Sequence, residues 1–381
     1  MRMSKDKKRD PIKVMLRVTI ILAVLAVGAL LLGNAITSYR AGVLKARQDE
    51  VEQINAERDT QYAVALAEFE AASQSGANLA WPPAATEGWD VVDLTNYPLE
   101  NVYTASVTRA DIMNHGMLLV NQWHSRPDDF DETELVGIAN YVGWNNLLYG
   151  VPGSATKLMP VAIDALNECI ADANALGLTD YTILEGYRSM EDQQALFDKQ
   201  MEALSSRYKG DALIERTKQV VNYPGTSEYQ TGLSFRLRIY KKGDDSVNNQ
   251  SFSTSAQGQW LAENSWRYGI VFRFPLTDFP LQYTVDKSYK TGISTEMNLY
   301  RYVGKGNAAV MHTLDLCLEE YIEYLQEHPH VAVFEDGVLR YEIFRQYVGD
   351  SENIELQLTG KTAQYDSSLD NMGGVITVFT Y

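Results

Sequence analysis

The sequence predicts an α+β protein held behind a single N-terminal membrane helix. Three observations predict this. One apolar run follows a basic tail near the N-terminus. Through the middle of the chain, apolar positions recur at helical spacing in some stretches and alternate as in strands in others. Beyond residue 330 the signals are those of strands alone. The 381 residues are 45% apolar and 10% aromatic, enough to build a packed core and too much for a disordered chain. The net charge of −17 argues against nucleic acid as a partner, because a phosphate backbone selects a basic face.

Residues 1–17 form a basic tail, with Arg2, Lys5, Lys7, Lys8, Arg9, Lys13 and Arg17 against Asp6 and Asp10. Residues 18–37 are apolar apart from a few small polar residues, and reach the ~20 residues that span a bilayer. No small-residue cleavage site follows, so the run reads as an uncleaved transmembrane helix. Its basic flank belongs in the cytoplasm, which puts the rest of the chain on the extracytoplasmic side of the cell membrane. Residues 38–73 lack proline and read as a helical stalk. Leu44, Val51, Ile54, Tyr62, Leu66 and Phe69 on it offer a partial seam for a homodimer. Residues 74–113, with Trp81-Pro82-Pro83, read as a linker into the main domain.

The acidic run Asp128–Glu134 reads as a solvated helix start. Val161, Ile163, Leu166, Cys169 and Ile170 predict a helix over 160–176, and Tyr181–Leu184 a buried strand. Phe235, Leu237 and Ile239 alternate with Arg236, Arg238 and Tyr240, which predicts a strand carrying two arginines on one face. Trp260–Tyr268 reads as an amphipathic helix stopped by Gly269, and a further helix is expected from Ala308 through Leu318 to Leu325. Val331–Phe334 and Tyr341–Phe344 around Glu335-Asp336-Gly337 make a hairpin. With strands at 354–358 and 375–379, it forms a small β appendage over 327–381. Cys169 and Cys317 sit in helical apolar patterns, and spacing alone does not decide whether they pair.

The organising stretch is Pro224–Ile239. Ser227, Glu228, Gln230, Thr231, Gly232 and Leu233 match the metal-site pattern Ser-Glu-His-Gln-Thr-Gly-Leu-Ala-x-Asp. In that pattern the chain resembles the VanY-type D-alanyl-D-alanine carboxypeptidases, a family of bacterial zinc peptidases. Three further blocks agree in order: Gly186–Gln193, Trp260–Gly269, and Thr291-Gly292 leading to Glu296 and Arg301–Gly304. Over residues 114–326 the resemblance implies a D,D-carboxypeptidase-like domain of the Hedgehog/D,D-peptidase type with a small antiparallel sheet. It also implies that Arg188 holds a peptide carboxylate, that Ser189, Gln193 and Gln230 help bind substrate, and that Glu296 is the general base.

The ligand positions depart from that pattern. The resemblance implies zinc ligands where this chain has Tyr229, Arg236 and Leu299, and none of the five histidines falls in the matched metal blocks. Leucine cannot ligate, and arginine brings a fixed cation. No bound cofactor is therefore expected, and Glu296 should be idle. Arg236 is expected to pair with Glu296 in the emptied pocket, leaving Arg188 free to receive a carboxylate.

The functional expectation is a catalytically inactive, membrane-anchored protein that binds or scaffolds peptidoglycan stem peptides or attends an active wall enzyme. The alternatives are an active D,D-carboxypeptidase with atypical metal ligands, and a structural partner whose cleft is occluded. The predicted topology has a direct check. Protease added to spheroplasts should reach the domain, and protection until the membrane is broken would reverse the orientation.

Overall fold

The computed structural model describes residues 81–381. The basic tail, the expected membrane span, the stalk with its dimer seam and the start of the linker lie outside the described residues. No helix among the described residues is long and apolar enough to cross a membrane.

Thirteen strands are described: β1 (Trp89–Asp93), β2 (Val102–Thr108), β3 (Val136–Gly137), β4 (Lys157–Leu158), β5 (Tyr181–Glu185), β6 (Ser234–Ile239), β7 (Ile270–Phe272), β8 (Leu299–Tyr302), β9 (His330–Glu335), β10 (Val338–Tyr347), β11 (Asn353–Thr359), β12 (Tyr365–Leu369) and β13 (Gly374–Thr380). An antiparallel sheet in the order β5-β6-β8-β7 is the floor of the candidate site. Its core face carries Ile183, Phe235, Leu237 and Tyr300 against the helix Pro160–Ala175. That helix presents Ile163, Leu166, Cys169 and Ile170 inward, as its spacing predicts. The alternation in β6 also holds: Phe235, Leu237 and Ile239 are buried, while Arg236 and Arg238 are exposed.

Gly269 stops the helical stretch Ala256–Tyr268 with a φ of +80°. A Cβ there would come within 2.8 Å of the Gly304 backbone, so glycine both ends the helix and admits the turn after β8.

A second sheet, β1-β9-β10-β13-β12, packs on the helices Lys305–Thr313 and Leu318–Glu327. The β9–β10 hairpin is the one expected from sequence. Its setting differs from an appendage. β1 pairs with β9, and β2 pairs with β11, so residues expected to be linker supply two strands. Val331, Val333, Ile343 and Ile376 share a core with Met117, Leu119, Trp266 and Val303. Ile354, Leu356, Val375 and Phe379 share another with Leu118, Val120, Met159 and Leu233. The C-terminal strands are therefore part of the wall of the domain.

Two local expectations are corrected. The helix expected from Ala308 to Leu325 is two helices, broken where Asp315 takes a φ of +51° and Cys317 caps the second. The acidic run 128–134 starts no helix. Asp131 accepts from the Thr133 amide at 2.7 Å, Glu132 pairs with Arg126 at 3.0 Å, and Asp129 faces Arg109 at 3.6 Å. The carboxylates that would have capped a helix are used in a turn and in ion pairs. Cys169 and Cys317 are both buried and unpaired.

Beneath the first sheet runs a buried chain of charges. Arg301 donates to both carboxylate oxygens of Glu228 at 3.0 and 2.8 Å, and to the carbonyls of Gly116 and Leu118. Arg273 approaches Glu228 at 3.1 Å through Nε and forks onto Glu319 at 2.9 and 2.7 Å. Ser234 donates to Glu228 at 2.6 Å and Asn121 to Glu319 at 3.0 Å. Burial alone would raise the Glu228 carboxyl, but Arg301 and Arg273 hold it below the ordinary glutamate value. Burial likewise opposes ionisation of Glu319, and Arg273 outweighs it.

A group with a depressed folded-state pKa contributes stability above its unfolded value, near 4.3 for glutamate, and loses it as pH falls through the folded value. Thermal melts should therefore hold steady above that range and drop on further acidification. Arg273→Met leaves two buried carboxylates short of charge and should cost ~3–5 kcal/mol in a denaturant melt. A loss no larger than that of an exposed arginine would show that the chain of charges is not coupled to folding.

Candidate functional site

The antiparallel register brings the three ligand-equivalent positions together. Arg236 on β6 lies opposite Leu299 on β8, so their side chains leave the same face of the sheet. Tyr229 arrives from the short 3-10 turn Glu228–Thr231 and packs with Leu299 and Phe274, flanked by Ile293 and Met297. Leu299 is fully buried and Tyr229 is 5% exposed. Burial pushes the Tyr229 phenol well above its ordinary value. Glu185 adds to this, while the Arg236 and Arg188 guanidinium groups oppose it. The hydroxyl itself is buried with no hydrogen-bond partner: Arg236 is close enough to act on it electrostatically without a well-directed bond.

Arg236 and Glu296 do not pair. Both are exposed, and neither makes an ion pair with any described residue. The expectation assumed a carboxylate stranded in an emptied pocket. In the structure Leu299, Tyr229 and Phe274 fill that volume, and Glu296 sits at the surface, where water satisfies it.

Arg188 is not free. Its Nε donates to Glu185 at 2.9 Å, a terminal nitrogen makes a second bond to the same carboxylate, and Nη1 donates to Gln193 at 2.6 Å. The guanidinium lies over the Tyr229 ring at 4.4 Å. Glu185 is the residue that sequence reasoning missed. It ends β5 three positions before Arg188, and β5 bulges between Ile183 and Glu185.

The other expected substrate contacts serve the scaffold. Ser189 caps the helix Met190–Leu204 in a capping box with Asp192. Gln193 is fully buried and donates to the Asn222 carbonyl at 2.6 Å. Gln230, also fully buried, accepts from the Gly225 amide at 2.8 Å and its amide nitrogen meets the Met190 sulfur.

The donor set does not fit zinc. A catalytic zinc needs three nitrogen, sulfur or carboxylate ligands and an open position. Leu299 has no donor atom, Arg236 repels a cation, and burial keeps Tyr229 protonated. Among the described residues no group of three or more His, Cys, Asp or Glu is placed to hold a metal ion.

Fold and site thus define a D,D-peptidase scaffold with an altered floor. Residues 155–305 match the family described as VanY: D-alanyl-D-alanine carboxypeptidase. The chain is 31% identical over 148 residues to the bifunctional D-Ala-D-Ala dipeptidase and D-Ala-D-Ala carboxypeptidase VanXYC of Enterococcus gallinarum, covering 39% of this chain and 69% of that one. It is 27% identical over 281 residues to a D-alanyl-D-alanine carboxypeptidase of Enterococcus faecium, covering 74% of this chain and 80% of that one. The vancomycin-resistance D,D-dipeptidase VanXYg, solved with a D-Ala-D-Ala phosphinate analog, shares the fold. Its TM-score is 0.54 at 22% identity, over 74% of this chain and 99% of that one. The chain belongs to the VanY D-alanyl-D-alanine carboxypeptidase family.

Strand pairing sets Arg236 opposite Leu299 and packing sets Tyr229 against Leu299, so their chemistry is open to test by replacement. Tyr229→His, Arg236→Asp and Leu299→His in one chain should bind zinc stoichiometrically by mass spectrometry after dialysis, while the unaltered chain should not. Equal zinc in both would show that the metal, if bound, sits elsewhere.

Proposed function

We propose that this chain is a non-hydrolytic member of its family, which recognises the D-alanyl end of peptidoglycan stem peptides at the outer face of the cell membrane. The observation that carries the reading is the opposed pair Arg236 and Leu299 packed with Tyr229, a floor whose side chains offer no ligand set for zinc. In a zinc peptidase the metal supplies a nucleophilic hydroxide and polarises the scissile carbonyl. The residues here supply neither, and Glu296 has no activated water to deprotonate.

Recognition is supported by charge. In a protein of net charge −17, Arg236 and Arg238 leave one exposed face of β6 without an ion pair to any described residue. The names of the curated relatives point to D-Ala-D-Ala ends as the ligand class. The basic tail and apolar run at the N-terminus support an anchor that would hold the domain beside the wall. There it would present or shield stem peptides, or dock an active wall enzyme.

The purified full-length chain, given a stem pentapeptide ending in D-Ala-D-Ala, should bind it by calorimetry. It should release no D-alanine, with or without added zinc. Metal-dependent release abolished by Glu296→Gln would make the protein a working D,D-carboxypeptidase. Neither binding nor release would leave a structural partner with an occluded cleft.

A further inference from the structure

Two neighbouring groups on the site floor meet no acceptor. The Tyr229 hydroxyl is enclosed by protein, in a side chain 5% exposed, yet nothing accepts its proton. Buried hydroxyls are nearly always hydrogen-bonded, so an orphan marks a place for an absent acceptor. Beside it the Arg236 guanidinium is exposed and makes no ion pair with a described residue. On the same floor the charge of Arg188 is already answered by Glu185, and its remaining fork holds Gln193. The Arg236 charge and the Tyr229 hydroxyl donor remain unanswered, with the exposed Arg238 two positions along the same strand face.

We propose that Arg236 and Tyr229 form a carboxylate subsite on the spot where relatives would place their metal, so that the terminal carboxylate of the ligand docks there and not on Arg188. This rests on the peptide-binding reading above and names the atoms that would carry it. A planar guanidinium meets both oxygens of a carboxylate side by side, and the phenol adds a third donor to one of them. The apolar wall of Leu299, Phe274, Ile293 and Met297 would lie against small alkyl groups such as the methyl of alanine.

The test uses the full-length chain with D-alanyl-D-alanine, its C-terminal amide and acetate as probes, read by calorimetry and by the Arg236 guanidinium signal in nitrogen NMR. The dipeptide should bind and its amide should not. Arg236→Gln should weaken the dipeptide roughly ten- to a hundredfold, and Tyr229→Phe by a smaller factor, since charged hydrogen bonds exceed neutral ones. Arg236 is exposed and unpaired, so Arg236→Gln should melt at an unchanged temperature, which separates lost binding from lost folding. Loss of dipeptide binding with Arg188→Gln, while Arg236→Gln binds normally, would overturn the subsite and leave peptide recognition standing. Acetate that moves the Arg236 signal in a chain that binds no dipeptide would uphold the subsite and refute peptide recognition. A signal unmoved by either probe would refute the subsite.

Discussion

The buried run Glu319–Arg273–Glu228–Arg301 is the constraint on which the domain depends. It joins the helix Leu318–Glu327, the end of β7, the turn that carries Tyr229, and β8. Through the Gly116 and Leu118 carbonyls it also holds the segment that enters the domain. Each charge is taken from water at a cost of several kcal/mol, and only the neighbouring charge offsets it. The members therefore stand or fall together. Two of them adjoin the floor: Glu228 stands beside Tyr229, and Arg301 lies on β8, the partner strand of Arg236. A buried ion cannot be replaced singly.

Above that run, Tyr229 and Leu299 close the floor with Phe274 through apolar contact. Arg236 puts an exposed cation beside them. Arg188 answers a different neighbour: with Glu185 as its partner, it braces the turn through Gln193 and the Tyr229 ring.

Much of the fold was legible because its signals are local. The alternation in β6, the stop at Gly269 and the turn at Asp336-Gly337 each depend on residues close in sequence. The pairings of β1 with β9 and β2 with β11 were not legible, since the partners are remote and Val102–Thr108 faces solvent over much of its length. Tyr229, Arg236 and Leu299 are singled out by the motif, and the register places Arg236 opposite Leu299 while Tyr229 packs on Leu299 from a turn. The partner of Arg188 could not: Glu185 reads as the end of a strand, and only the bulge beside it turns the carboxylate toward the guanidinium. Arg273 was a missed signal, a charge amid Val271, Phe272 and Phe274 that had to find a buried counter-ion.

The pairing of β1 with β9 also bears on how the protein is made. β1 has β9 as its only ladder neighbour, at the edge of its sheet, so it waits unpaired until residues beyond 330 are available. Long-range closures of this kind are slow, because loop entropy is lost before contacts are gained. A ribosome releasing the chain from its N-terminus would hold β1 without its partner until β9 has emerged. A chain cut short before β9 would leave the β1 edge open to proteases.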